Sequence, residues 1–194
     1  MNYVDDIKKY ISDEIEVLNQ LDIEAINTVM NIFDEAFENE SMIYVFGNGG
    51  SSATSSHYQN DFNKGISEYT DKKFRFLCLN DNIPTMMAIA NDIGFEEIFR
   101  FQLKGRLKKG DLVVAISGSG NSVNILNAVK YAKEQGNIVI GITGFDGGEL
   151  KELSDYNLHV PVRSMQITED IHMFFDHLIM SIYYKYKCGK EHLK

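Results

Sequence analysis

The chain has only two cysteines and two prolines. Two cysteines cannot build a disulfide framework, and Cys78 and Cys188 lack metal-ligand spacing, so reduced thiols in a cytoplasmic protein are expected. No Pro/Ser-rich tract, internal repeat or low-complexity run marks a linker, so the 194 residues are read as one domain, 1–194. With 44% apolar and 24% charged residues the composition is that of a folded chain, which argues against intrinsic disorder. No run approaches the length of a membrane span, and the opening MNYVDDIKKY lacks the apolar core of a signal peptide. Positive charge is scarce: 19 Lys and Arg stand against 28 Asp and Glu, a net charge of −9. Nucleic acid selects the opposite balance, because affinity comes largely from basic groups neutralising phosphates. A small phosphate ester is not excluded, since backbone N–H groups and hydroxyls can hold one without lysine.

The first 39 residues read as helical. Val4, Ile7, Tyr10, Ile11, Ile15 and Leu18 recur at helical spacing, and a second such segment runs from Glu24 to Phe37. Their apolar stripes need cover from the chain's own core or from another subunit. The pattern then changes to short continuous apolar runs: MIYVF (42–46), FRFLCL (74–79), DLVVAIS (111–117), NIVIGIT (137–143) and the weaker YNLHVPV (156–162). Helix-like segments lie between most of them, at Ser51–Asn63, Thr85–Arg106 with a break near Gly94, Ser122–Gln135 and Gly148–Leu153, and a long one, Ile167–Tyr186, closes the pattern. Apolar strands alternating with helices indicate a parallel sheet covered on both faces. The expected fold is α/β, a three-layer α/β/α sandwich around a central five-stranded parallel sheet with an N-terminal helical extension.

Ligands in such folds sit beyond the carboxyl ends of the strands. After the first strand comes Gly47-Asn48-Gly49-Gly50-Ser51-Ser52, and after the third Ser117-Gly118-Ser119-Gly120-Asn121-Ser122, each leading into a helix. A helix N-terminus carries partial positive charge, and glycine allows close approach of the backbone to a ligand. Ser51, Ser117, Ser119 and Ser122 add hydroxyls. Glycine and serine are also good turn formers and caps, but two such loops after two parallel strands favour a phosphate-sized anion. Neither loop is GxGxxG of the dinucleotide form or GxxxxGK[ST], which argues against a nucleotide cofactor.

A second group is titratable. His57 and Asp61 lie four apart on one predicted helix. Glu169, His172 and His177 lie on the last, with Glu169 and His177 slightly over two turns apart. Imidazoles and carboxylates that converge can bind a divalent metal such as zinc, or move protons at a carbon beside a carbonyl. Spacing alone does not bring the two helices together. His159, in a strand, and His192, in the tail, are expected to be structural or exposed. Gly144-Phe145-Asp146-Gly147-Gly148 reads as a tight loop on the ligand edge, and Asn91-Asp92 as a helix stop within reach of it.

GNGGSSATSSH, ANDIGFEEIF, ISGSGNS, GITGFDGG and EDIHMFFDH, in this order and spacing, resemble the sugar isomerase (SIS) domain family, and within it the phosphoheptose isomerases. These convert sedoheptulose 7-phosphate to D-glycero-D-manno-heptose 7-phosphate through an enediol. The resemblance covers nearly the whole chain. It implies that Asn48, Gly49, Gly50, Ser51, Asn91, Asp92 and Glu169 contact substrate, and that Ser117, Gly118, Ser119 and Ser122 cradle the sugar phosphate. It implies acid–base roles for Asp61 and His177, and a zinc site, or one for another divalent metal, at His57, Asp61, Glu169 and His177. It also implies a homotetramer with sites built between subunits, in which residues 1–39 pack subunits together, and no nucleic-acid or membrane partner.

The chain departs from the family in having Asp61 where glutamate is usual and Glu169 where glutamine is usual. Glu169 adds negative charge and would strengthen a cation site. Other members of the wider family suggest rival readings. They are a non-catalytic adaptor for a replication initiator, a sugar-phosphate-sensing module, and an isomerase of a different ketose phosphate. Retention of His57, Asp61 and His177 argues against the adaptor, and the chain has neither room nor charge for the DNA-binding domain that usually accompanies the sensor.

Overall fold

The computed structural model describes residues 1–189; His192 lies outside them. Five strands form one parallel sheet: β1 (Ile43–Gly47), β2 (Phe76–Cys78), β3 (Leu112–Ser117), β4 (Ile138–Thr143) and β5 (Tyr156–His159). Their order is β2-β1-β3-β4-β5. In register, Val45 faces Cys78 on one side and Val114 on the other, and Ile116 faces Gly47 and Ile142. All residues of β1 and β3 are buried, as expected for strands with helices on both faces.

Side chains alternate across a strand, and here they divide between two cores. Ile43, Val45, Leu112, Val114, Ile116, Ile140 and Ile142 pack under α2 (Ile23–Glu38), α3 (Gly50–Asn60) and α8 (Met165–Cys188). Tyr44, Phe46, Val113, Ala115 and Val139 pack under α4 (Ile83–Asp92), α5 (Arg100–Leu103), α6 (Val123–Glu134) and α7 (Gly148–Leu153). The three layers are those the apolar pattern predicts.

Most differences from the expected boundaries have local causes. The fifth strand stops at His159 rather than 162, just before Pro161, which has no N–H for a ladder. The segment 85–106 breaks as expected at Gly94, whose φ is +148°. The helix from Ser51 does not run unbroken to Asn63. α3 ends at Asn60, Asp61–Gly65 form a π turn and Ile66–Tyr69 a 3₁₀ turn.

The two N-terminal helices behave differently. α2 buries Ile26, Val29, Ile32, Phe33, Ala36 and Phe37 against the sheet. Helix α1 (Val4–Leu18) buries only Val17 and leaves Val4, Ile7, Tyr10, Ile11 and Ile15 exposed. The Tyr10 hydroxyl reaches Asp170 on α8.

Chain order reverses direction between β1 and β3, and a ligand crevice forms outside such a switch point. The loops after these two strands therefore stand side by side. Among the described residues no helix is long and apolar enough to cross a membrane.

Candidate active site

The loops after β1 and β3 close on the start of α8. A cavity of about 150 Å³ between them is lined by Asn48, Ser51, Ile116, Ser117, Gly118, Ser119, Ser122, Met165 and Glu169. Among these lining residues there is no lysine or arginine. Anion-binding capacity therefore comes from hydroxyls and N–H groups at the start of α3 and α6. Ser122 is the N-cap residue of α6, yet its hydroxyl makes no capping bond. Ser117 Oγ accepts from the Gly120 N–H at 3.2 Å, and Ser119 Oγ accepts from the Asn121 N–H at 3.3 Å.

Three sets of bonds hold these loops in shape. Asn48 and Asn124 exchange two amide hydrogen bonds, each 2.9 Å. Asn80 accepts from the Gly47 N–H at 3.2 Å and donates to the Gly47 carbonyl at 2.9 Å. The loop 144–148 and the first turn of α7 brace the serine loop. Gly144 N–H donates to Gly118 O at 3.0 Å, Leu150 N–H to Gly120 O at 2.9 Å, and Glu149 N–H to Asn121 Oδ1 at 3.1 Å. The tight-loop reading of GFDGG holds, and the loop has the added task of supporting its neighbour.

The titratable cluster lies where α3 meets α8. His57 Nε2 is 3.3 Å from Asp61 Oδ2, 3.8 Å from Asp176 Oδ2 and 3.1 Å from His177 Nε2. One potential ligand atom from each of these four residues lies within 4.8 Å of every other. His177 is exposed and His57 partly so, whereas Asp61 is buried and the Asp176 side chain is wholly inaccessible. Neither oxygen of Asp176 has a hydrogen-bond partner. Burial, with the Asp61 carboxylate adding to it, pushes the Asp176 carboxyl up to about 8. Two imidazoles and two carboxylates are a donor set suited to a borderline divalent cation such as zinc.

Asp61 stays on the face of His57 although regular helix stops one residue before it. The π turn begins at Asp61 and drives the next residue, Phe62, into the core beside Phe33 and Phe76, with ring centroids 5.8 and 4.5 Å away. A π turn within a helix often marks a functional position.

Of the residues expected to contact substrate, the structure brings Asn48, Ser51, Ser117, Gly118, Ser119, Ser122 and Glu169 to one cavity. Gly49 and Gly50 are not among its lining residues, but the Glu169 carboxylate lies so close to Gly50 that a Cβ there would meet it at 2.4 Å. Asn91 and Asp92 are exposed at the end of α4, with Asn91 donating to Asp92 at 2.7 Å, and they line none of this cavity. His57, Asp61 and His177 converge as expected. Glu169 is not in their group; Asp176 takes the fourth place. Asp176 and Asn124 carried no sequence signal of their own. His172, which the sequence puts in the titratable group, is 1% exposed and stands outside the cluster of His57, Asp61, Asp176 and His177.

Comparison with known proteins identifies this architecture. The family model described as SIS domain matches residues 2–144. The phosphoheptose isomerase of Aliarcobacter butzleri is 33% identical over 178 residues, 91% of this chain and 94% of that protein. Among solved structures, the phosphoheptose isomerase of Francisella tularensis superposes with a TM-score of 0.87 at 27% identity, covering 95% of this chain and all of that one. That of Neisseria gonorrhoeae superposes with a TM-score of 0.86 at 26% identity over the same shares. A parallel sheet of this order, a serine-lined cavity at its switch point and relatives aligned from end to end lead to one conclusion: the chain belongs to the SIS domain family, in its phosphoheptose isomerase branch.

Proposed function

We infer that the protein is an aldose–ketose isomerase that converts sedoheptulose 7-phosphate to D-glycero-D-manno-heptose 7-phosphate. The observation that carries the reading is the pairing of a serine-lined anion cavity with a His/Asp cluster, both built by α3 and α8. Glu169 and His177 stand eight residues apart on α8, roughly 12 Å along the axis at the usual helical rise. That separation suits an extended sugar phosphate with its phosphate at one end and its carbonyl at the other.

The phosphate is held by the hydroxyls of Ser117, Ser119 and Ser122 and the N–H groups opening α6. Asn48, Gly49, Gly50 and Ser51 border the sugar, and Glu169 accepts from one of its hydroxyls. At the far end Asp61 or His177 removes a proton from C1, the C1–H electron pair forms the C1–C2 double bond, and the C2 carbonyl oxygen takes a proton from the partner group or water to give an enediol. Return of a proton at C2, with loss of the proton on O1, yields the aldehyde. Fixed geometry and acid–base groups of this kind each supply large factors in rate, about 10²–10⁴ for the proton transfers. His57, Asp61 and His177 fit a zinc or other divalent ion, which when bound would polarise the substrate carbonyl.

We further propose a homo-oligomer, a tetramer on the family's pattern, and a cytoplasmic setting. The exposed apolar face of α1 supports the first. Two cysteines that form no disulfide support the second, with Cys78 buried and pushed up to about 11 chiefly by desolvation.

The test is incubation with sedoheptulose 7-phosphate in D₂O followed by proton NMR. An aldose phosphate deuterated at C2 is expected. Asp61→Asn and His177→Ala should each lose about 10²–10⁴-fold in turnover while still binding the phosphate ester. Binding without turnover by the wild type, or full turnover in both variants, would overturn the reading.

A further inference from the structure

We propose that Asn124, which does not itself line the serine cavity, is a positioning residue for it: Asn124 holds the Asn48 amide in one orientation and frees the Ser122 hydroxyl for the ligand. The proposal rests on the reading of that cavity as the sugar-phosphate site and adds the group that prepares two of its walls.

Three observations carry it. The first is a displaced cap. Ser122 is the N-cap residue of α6, and a serine there ordinarily accepts from an N–H two or three residues on. Its hydroxyl makes no such bond. The Ile125 N–H donates instead to Asn124 Oδ1 at 2.9 Å. An N–H in the first turn has no partner within its helix, and Ile125 is wholly buried, so it needs an acceptor. Asn124 supplies one, and the Ser122 side chain remains available to the cavity it lines.

The second is the direction of an amide. The oxygen and nitrogen ends of an asparagine side chain are similar in size, and the bonding partners decide which is which. A backbone N–H only donates, so the end of Asn124 that meets Ile125 is the oxygen. That oxygen also accepts from Asn48 Nδ2, and Asn124 Nδ2 donates back to Asn48 Oδ1, each at 2.9 Å. The orientation of Asn48 is thereby set by the backbone of α6. One N–H and one acceptor position of Asn48 remain, in fixed directions.

The third is place. Asn48 and Ser122 line both the serine cavity and a neighbouring pocket of about 520 Å³, whose other walls are Phe95, Glu96, Val123 and Asn124. Asn124 is 2% exposed and backs Asn48 on that side. Without its side chain, Asn48 is free to turn into the larger pocket and Ser122 to close on the Ile125 N–H. Polar groups fixed before the ligand arrives need no reorganisation when it binds.

The experiment compares the full-length wild type with Asn124→Ala in two ways. Without ligand, nitrogen–proton correlation spectra should show the wild-type Asn48 side-chain amide as two separated proton signals, one bonded to Asn124 and one not, identified by their absence in Asn48→Ala. In Asn124→Ala they should move to the position of a solvent-exposed amide. With sedoheptulose 7-phosphate, Asn124→Ala should lose at least about tenfold in kcat/KM, as expected between hydrogen-bonded neighbours. In a chain already carrying Asn48→Ala and Ser122→Ala, the same change should cost no more than about twofold, because the groups it positions are gone. A merely structural role would cost the same factor in both backgrounds. If the alanine variant does not fold, Asn124→Ser, too short to span to Asn48, gives the same comparison. Unmoved Asn48 signals, or an equal loss in both backgrounds, would overturn the proposal while the wild type still turns over the sugar phosphate. No binding or turnover by the wild type would overturn the proposed function and this role with it.

Discussion

Replacing Gly120 by alanine separates backbone strain from close packing in the phosphate cradle. Gly120 lies at φ +67°, and a Cβ there would stand 1.9 Å from the carbonyl oxygen of Gly147 and 2.6 Å from its carbonyl carbon. The obstacle is backbone, so no side chain can swing aside. Gly136 provides the control. It has φ +76°, and its Cβ would meet nothing within 4 Å. It ends α6 with the bonds of a Schellman motif, Gly136 N–H to Lys133 O at 2.9 Å and Asn137 N–H to Ala132 O at 3.0 Å. Left-handed backbone alone costs an L-residue about 1–2 kcal/mol, which is the expected loss for Gly136→Ala. Overpacking adds about 1–3 kcal/mol, so Gly120→Ala should lose roughly twice as much or more. For a chain of this length each kcal/mol lowers Tm by about 2–4 °C, so the two variants should separate clearly in thermal unfolding. The serine loop can relieve the clash only by lifting off the 144–148 loop, which would misplace Ser119 and Ser122. Phosphate-ester affinity, measured by calorimetry, should therefore fall at least about tenfold in Gly120→Ala, a change of 1.4 kcal/mol, and stay unchanged in Gly136→Ala. Equal stability of the two variants together with intact affinity in Gly120→Ala would refute the claim that the two loops form one packed unit.

Two more outcomes are expected. His172 is held down to about 4 from 6.5 by burial, which the nearby His159 reinforces and the Thr143 carbonyl partly offsets. The neutral ring is thus favoured in the fold: its contribution is complete above pH 6.5 and is lost as pH falls from 6.5 towards 4, by about 3 kcal/mol. Urea titrations across that window should show a shallower decline in His172→Gln; an identical slope would remove the residue from the acid response. Ile7→Glu with Ile11→Glu on the exposed face of α1 should reduce the proposed oligomer to smaller species in analytical ultracentrifugation, whereas an unchanged sedimentation coefficient would show that this face is not an interface.

The sequence made the layers legible because a doubly covered parallel sheet leaves continuous apolar runs. Ile43–Gly47 and Leu112–Ser117 are such runs, and both are buried throughout. The two Gly/Ser loops were legible for a related reason, since a loop that follows a strand and opens a helix must turn tightly and expose N–H groups. Asp176 was hidden because it lies in an apolar stretch of α8 and faces His57 and Asp61, which stand on another helix. Its meaning comes from α3, reached only through the fold. Asn124 was hidden likewise, since its partner Asn48 lies 76 positions away. The π turn at Asp61 was invisible because the sequence through it keeps a helical rhythm. Only the stacking of Phe62 on Phe76 shows why the chain widens there.

The charge distribution explains why the two ends of the site use different chemistry. A chain of net charge −9 that must hold a phosphate has placed no lysine or arginine against the cavity, only oriented N–H groups and hydroxyls. Such donors are fixed by backbone geometry, which is why so many bonds converge on Gly47, Gly118 and Gly120. They also accept a ligand's charge without forming a salt bridge that would pair with Glu169 in its absence. On the proposed mechanism the other end needs groups that exchange protons, and there carboxylates and imidazoles are crowded until one carboxyl is driven far above its usual range. Helices α3 and α8 begin at the cavity and reach the His/Asp cluster about two turns later on α3 and about three on α8. Under the proposed function the same pair of helices fixes the distance over which a substrate's phosphate and carbonyl must be matched, and a sugar of the wrong length would meet one end without the other.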